Sequence, residues 1–267
     1  MFKWFRQLDR ILRGDATRTS LLSDGQIQTP VAGLSVAVLL LGVFYGLCMG
    51  SFTMIRTGGE AYMQLIASAV KLPLLFFLTL AVTFPSLYVF NALLGTRLSV
   101  LSAMRLLIAA LGVMLAVLAS LGPIVVFFAL STKSYPFMIL LNVATSTIAG
   151  ALGLGFLLRT LDRLVVVQEG LESPPPGLPP LPDSSKQASA TPAGLTSALD
   201  RAGKVTTRRA KRVFRVWTTV FALVGAQMSW VLRPLIGCPT LPFEWFRERE
   251  SNFFLAVLQS LVSLFSL

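Results

Sequence analysis

The stretch Gly225–Gly237 reads GAQMSWVLRPLIG, and it decides how the rest of the chain is to be understood. It closes a strongly hydrophobic run that begins near Val213. Its spacing puts Gln227, Trp230 and Arg233 on one helical face, because residues three and four apart are neighbours on a helix. An indole and a snorkelling guanidinium at the end of an apolar run mark a membrane–water interface. Pro234 then stops the helix, and an aromatic and basic patch follows: Phe243, Trp245, Phe246, Arg247 and Arg249. The expected class is a multi-pass membrane protein.

Composition agrees. Of 267 residues, 54% are hydrophobic and 13% charged, outside the usual range for a soluble domain. The net charge of +11 would also suit a nucleic-acid binder, but the basic residues flank apolar runs, so no nucleic acid is expected as a partner. Cys48 and Cys238 form no metal-ligand spacing, and the chain has no histidine, the commonest general base and metal ligand.

Working outward, four more hydrophobic spans lie upstream. The first covers about Val31–Ile55 and carries Gly42, Gly46 and Gly50 four apart, a ridge that lets another helix backbone approach. A neighbouring span of the same chain or a second copy could supply that backbone. After Gly58-Gly59 comes an apolar approach segment, 61–70. The second span then starts at Lys71-Leu72-Pro73, with proline in a first turn, and runs to about Leu94 past Pro85. The third spans about Arg105–Leu130, interrupted by Gly122-Pro123. The fourth, Pro136–Leu158, carries Asn142, Thr145, Ser146 and Thr147, which either bind helices together or line a path.

The flanks read differently. Residues 1–14 have apolar and basic residues on opposite faces, the pattern of a helix lying among headgroups. Residues 168–203 are rich in proline and serine, a spacer without the means to build a core. Residues 204–237 comprise a polybasic run, Lys204 to Arg215, suited to anionic headgroups, and then the fifth span. In the tail, 238–267, Ser251 is the expected cap of a last helix. There Phe253, Phe254, Val257, Leu258, Leu261, Leu264 and Phe265 form one face, with Gln259, Ser260 and Ser263 opposite. At seventeen residues that helix is expected to be interfacial or packed on the bundle.

The expected fold is therefore all-α, a polytopic transmembrane bundle 30–160 plus a fifth span, with interfacial amphipathic helices at both ends. With the N-terminus in the cytoplasm, the arm contributes five basic residues, Arg97 and Arg105 two, and residues 159–215 ten, so seventeen lie inside. Arg56, Lys71, Lys133, Arg233, Arg247 and Arg249 make six outside, the excess that the positive-inside rule requires. The C-terminus then faces outward.

No aspartate, glutamate or lysine falls in the middle of any span so drawn. No Ser/His/Asp set, HExxH or phosphate-cradling loop occurs. An enzyme is not expected, and neither is a cofactor or metal.

Leu72-Pro73-Leu74-Leu75, the Phe84–Tyr88 segment with Asn91 and Gly95, the Gly122-Pro123 span and the serine-bearing fourth span resemble bacterial Yip1-like multi-pass proteins. The closing GAQMSWVLRP resembles a motif of uncharacterised bacterial inner-membrane proteins with that layout. The likeness covers roughly residues 70–250 and implies five spans and a non-catalytic role. The Asp-Leu-Tyr-Gly-Pro motif of the eukaryotic Yip1 family is absent, so a GTPase partner is not implied.

Two functions compete. One is a membrane scaffold or assembly factor that binds a membrane-protein partner, a second copy or lipid through Gln227, Trp230, Arg233, Trp245, Arg247 and Arg249. The other is a small permease or channel lined by Asn91, Asn142, Thr145 and Gln227.

Overall fold

The computed structural model describes residues 31–57, 62–93, 100–172, 216–232, 235–238, 243–246 and 252–265. They form helices α1 (Val31–Thr57), α2 (Tyr62–Leu93), α3 (Val100–Ser131), α4 (Tyr135–Glu172), α5 (Val216–Val231) and α6 (Phe253–Phe265), with no strand among the described residues. Stretches within α1 to α4 are long and apolar enough to cross a membrane: Ala32–Thr57, Tyr62–Ser86, Ala103–Ser131 and Tyr135–Thr160. The protein is a membrane-embedded helical bundle.

α1 sits at its centre. One stripe of α1, including Leu34, Val38, Tyr45, Met49 and Phe52, is buried, whereas Leu39, Phe44, Leu47 and Met54 face out. α1 packs along both α2 and α3, α3 packs on α4, and α2 and α3 touch only slightly. The α1–α2 contact is set by the glycine ridge. A Cβ on Gly46 would lie 2.5 Å from the Ser68 carbonyl oxygen and 2.7 Å from Ala69 Cα. Gly50 meets Leu65 and Gly42 meets Pro73 in the same way, so the ridge faces α2 of its own chain.

Several boundaries differ from the sequence expectation. The approach segment 61–70 and the second span form one helix, and Pro73 and Pro85 both lie inside it. Each proline removes one backbone hydrogen bond, which a helix packed among others tolerates. Lys71 therefore lies within the candidate span Tyr62–Ser86 rather than at its start, which corrects the reading that no lysine occurs inside a span. At 1.5 Å per residue it is about 14 Å from Tyr62. α3 passes through Gly122-Pro123 without a break, and Gly122 rests against Cys48 of α1. α4 runs to Glu172, past the expected end at Leu158 and into the first residues assigned to the spacer.

The ends are closed by side chains. Arg56 at the end of α1 donates to the Thr132 carbonyl at 2.6 Å and approaches those of Ala129 and Leu130. A cation is thereby placed on the C-terminus of α3, where the helix dipole favours it. Ser134 caps α4 through the Phe137 N–H.

α5 runs antiparallel to α2. Trp217 is at Thr83 and Ser86, Gly225 at Thr79, and Leu235 at Ser68. α6 packs on α4 and is capped by Asn252, whose side chain accepts from the Leu255 N–H at 2.9 Å. Its buried side includes Ser260, while Phe254, Leu258, Val262 and Phe265 are exposed. Ser260 thus turns inward beside half-buried Phe253, Val257 and Leu264, while Gln259 and Ser263 of the expected polar side stay exposed. The Ser260 hydroxyl donates to the Ala256 carbonyl in its own helix.

The helix expected at 1–14, Gly58-Gly59, the spacer beyond Glu172, the run Lys204–Arg215, Arg233, Pro234, Arg247, Arg249 and Ser251 lie outside the described residues.

Candidate functional site

Where α5 ends, the chain stops being helical but stays within the bundle. Leu232 N–H makes the last helical bond, to the Met228 carbonyl. Leu235–Cys238 then lies across the ends of α1, α2 and α4 as a strap, and its carbonyls are taken up by side chains. Ser68 Oγ reaches the Leu235 oxygen at 2.6 Å, Thr53 Oγ1 donates to the Gly237 oxygen at 2.8 Å, and Tyr135 OH reaches Ile236 at 3.5 Å. Ser68 has a single proton and also stands 2.8 Å from the Gln64 carbonyl, so it serves one acceptor or the other. Irregular backbone inside a membrane protein needs such partners, because hydrocarbon offers none. Gly237 is held tightly: a Cβ there would sit 2.5 Å from Thr53 Oγ1 and 2.6 Å from Gln64 Cγ.

Phe243–Phe246 continues the strap to Lys71. Lys71 Nζ donates to the Trp245 carbonyl and lies 5.9 Å from the Trp245 ring centroid and 5.1 Å from that of Phe246. Both distances are within cation–π range. Phe243 meets Trp245 edge-on at 5.7 Å. The lysine is 2% exposed, yet the rings over it are 47% and 62% exposed. The strap is thus fastened from below and presents aromatic surface above.

A second polar cluster lies in the core. Tyr45 OH donates to Asn142 Oδ1 at 3.0 Å and is 2.8 Å from Thr145 Oγ1. Asn142 Nδ2 donates to the Met138 carbonyl, and Thr145 Oγ1 to the Asn142 carbonyl. Every polar atom of the trio is engaged, which ties α1 to α4 and leaves little for a passing solute.

Of the expected contact residues, Gln227 and Trp230 are half-buried on α5, and Trp245 lies on Lys71. Arg233, Arg247 and Arg249 are outside the described residues. Asn142 and Thr145 close on Tyr45, Gln227 is on α5, and the side chain of Asn91 lies outside the described residues. The residues that sequence reading missed are Tyr45, Thr53, Ser68, Lys71 and Gly237. Gln64, Ser68 and Lys71 recur at four and three, one polar stripe on an apolar helix, but dividing that helix at Val70 hid the stripe. Among the described residues no three His, Cys, Asp or Glu side chains are grouped to hold a metal. No family model, curated protein or solved structure matches this chain.

Proposed function

We propose that this chain is a non-catalytic membrane scaffold or assembly factor. It engages a membrane-protein partner, a second copy or lipid through the strap and the end of α5. One observation carries the reading: Trp245 and Phe246 are held outward by a backbone fastened to buried Lys71. Aromatic side chains fixed in place at a rim are the usual anchors of an interface. The test is copurification in mild detergent. A stoichiometric partner, or a dimer, retained by the native chain and lost with W245A/F246A at unchanged membrane accumulation supports the reading. Retention by the variant overturns it.

The proposed layout is five spans in the bacterial inner membrane, N-terminus inside and C-terminus outside, in keeping with the Yip1-like resemblance. The antiparallel run of α5 from Ser86 to Ser68 supports the fifth crossing. Reporter tags after Asp183 and after Pro242 test this. The first is expected inside and the second outside, and two cytoplasmic tags would exclude it.

A small permease is the second reading, and Lys71 is what favours it. An ionisable side chain inside a span costs roughly 3 kcal/mol at the bilayer centre and commonly marks a transport path. Its polar lining would be Asn91, Asn142, Thr145 and Gln227. K71M separates the two readings: a permease loses transport, whereas a scaffold loses only the fastening of its strap.

A further inference from the structure

The surface of α6 divides into three sides. Phe253, Ala256, Val257, Ser260 and Leu264 are buried or half-buried, and at about 100° per residue they share one arc of about 100°. Phe254, Leu255, Leu258, Leu261, Val262 and Phe265 are exposed, and they share a second arc of about 120°. Exposed Asn252, Gln259 and Ser263 fall together in the gap that remains. Phe253–Phe265 contains no charged residue. A helix lying free among headgroups needs only an apolar and a polar side. One standing upright in hydrocarbon has no use for a polar side. Three sides suit a helix docked on a bundle at the membrane boundary: one meets protein, one acyl chains and one water.

α4, on which α6 packs, shows where that docking falls. Residues seven apart share a helical face. Ala144, Thr147 and Ile148 are exposed, yet Phe137, Leu140 and Leu141, each seven residues earlier, are half-buried. The same face of α4 is therefore open along the middle of the span and covered near its start. A 13-residue helix, about 20 Å long, laid along α4 from that start would also cover Ala144 and Ile148. A helix crossing α4 leaves them open. α5 changes in the same sense, since Val220 and Leu223 are exposed while Gln227 and Trp230, seven residues on, are half-buried. Both helices lose their open face at the end where Tyr135 reaches the strap at Ile236. Ile148 and Leu152 lie on the open face of a membrane span. Lipid covers that face, and the exposed apolar side of α6 continues it.

We propose that α6 is an in-plane membrane helix whose exposed apolar side binds the acyl chains of the leaflet next to the strap, by apolar area and without regard to headgroup charge. Phe254, Leu258 and Phe265 point into that leaflet, and Gln259 and Ser263 face water. The lipid contact does not depend on the partner assigned to Trp245 and Phe246.

Spin labelling reads all three sides. In a chain lacking Cys48 and Cys238, single cysteines replace Phe254, Leu258, Phe265, Gln259 or Ser263, all at exposed positions. Each carries a nitroxide, and the protein is reconstituted in phosphatidylcholine vesicles. Collisions with oxygen, which concentrates in hydrocarbon, are compared with collisions with a water-soluble nickel chelate. The oxygen-to-nickel ratio at F254C, L258C and F265C should exceed that at Q259C and S263C at least about threefold. F254C and F265C, about 16 Å apart along the axis, should report the same depth. Replacing part of the phosphatidylcholine by phosphatidylglycerol should leave these ratios unchanged. A depth that grows steadily from Phe254 to Phe265 would mean an upright helix and overturn the proposal. Exclusion of both reagents from the apolar positions would mean that a second copy or another protein covers them, and would overturn it too. So would a preference for nickel at every position, or ratios that follow the phosphatidylglycerol content.

Discussion

Replacing Gly46 by alanine should destabilise the bundle, although alanine is the better helix former. The added Cβ would stand 2.5 Å from the Ser68 carbonyl oxygen and 2.7 Å from Ala69 Cα, whereas ordinary contact begins near 3.4 Å. Both neighbours are backbone, so relief requires α1 and α2 to part by about 1 Å. A gap of that size forfeits a quarter to a half of the dispersion energy of each contact it opens. Overpacking by one methyl costs about 1–3 kcal/mol, and this site belongs at the top of that range. Against it stands about 1 kcal/mol gained by replacing glycine within a helix. The net loss is about 1–2 kcal/mol. Gly155 is the control, with nothing within 4 Å of its added Cβ, and there the propensity gain stands alone. The two variants should differ by about 2–3 kcal/mol, or about 5–10 °C in Tm for a chain of this size. Gly50, at 2.9 Å from Leu65 Cα, and Gly42, at 3.1 Å from Pro73 Cβ, should fall between them in that order. Thermal unfolding in one mild detergent measures the series. If G46A and G155A unfold together, the α1–α2 interface is not set by this ridge.

Three further outcomes are expected. Y45F should lower stability by about 1 kcal/mol in the same unfolding assay, because Asn142 Oδ1 loses a donor and Thr145 a partner. G237A should lift the strap from Thr53 and Gln64 and speed thiol labelling of half-buried Cys238 severalfold, while buried Cys48 stays slow. K71M should keep Tm within a few degrees, since an apolar side chain of similar length fits a buried site. The labelling rate of a cysteine placed at exposed Glu244, in a chain lacking Cys48 and Cys238, should nevertheless rise. An unchanged rate would mean that Lys71 does not fasten the strap.

Much of the membrane core was legible because apolar runs are long and nearly free of charge. The start of α1, and the existence of α2, α3 and α4, follow from that property alone. What was not legible follows from the same property. Inside such runs proline loses its value as punctuation, so Pro73 marked a boundary where α2 continues. Lys71 was then taken for a flank, and its place beneath Trp245 was hidden. The expectation that Pro234 stops the helix was a local reading. That Leu235–Cys238 lies among α1, α2 and α4 needs contacts such as Thr53 with Gly237, 184 positions apart. No local pattern carries them. On α6 the amphipathic pattern was visible, but the side that meets protein mixes both faces, Ser260 with half-buried Phe253, Val257 and Leu264. In a membrane the apolar side is equally at home facing lipid, and hydrophobicity no longer says which way is in.

The strap also changes how the polar residues at that end of the bundle should be weighed. An extended segment among apolar helices brings carbonyl groups that no helix satisfies. Each would cost several kcal/mol if left bare in hydrocarbon. Leu235, Ile236, Gly237 and Trp245 present four such oxygens, and Ser68, Tyr135, Thr53 and Lys71 reach them from α2, α4 and α1. The match explains these side chains without a transported solute. A serine or threonine would have been a cheaper donor than a lysine, whose burial alone costs roughly 3 kcal/mol. What lysine adds is length and charge, which let it hold two aromatic faces as well as a carbonyl. Those rings are on the exposed part of the strap, 47% and 62% accessible. The packing of the bundle therefore accounts for Thr53, Ser68 and Tyr135, but it does not account for an aromatic pair held on a buried cation and turned outward. That surplus is what the proposed interface at Trp245 and Phe246 rests on.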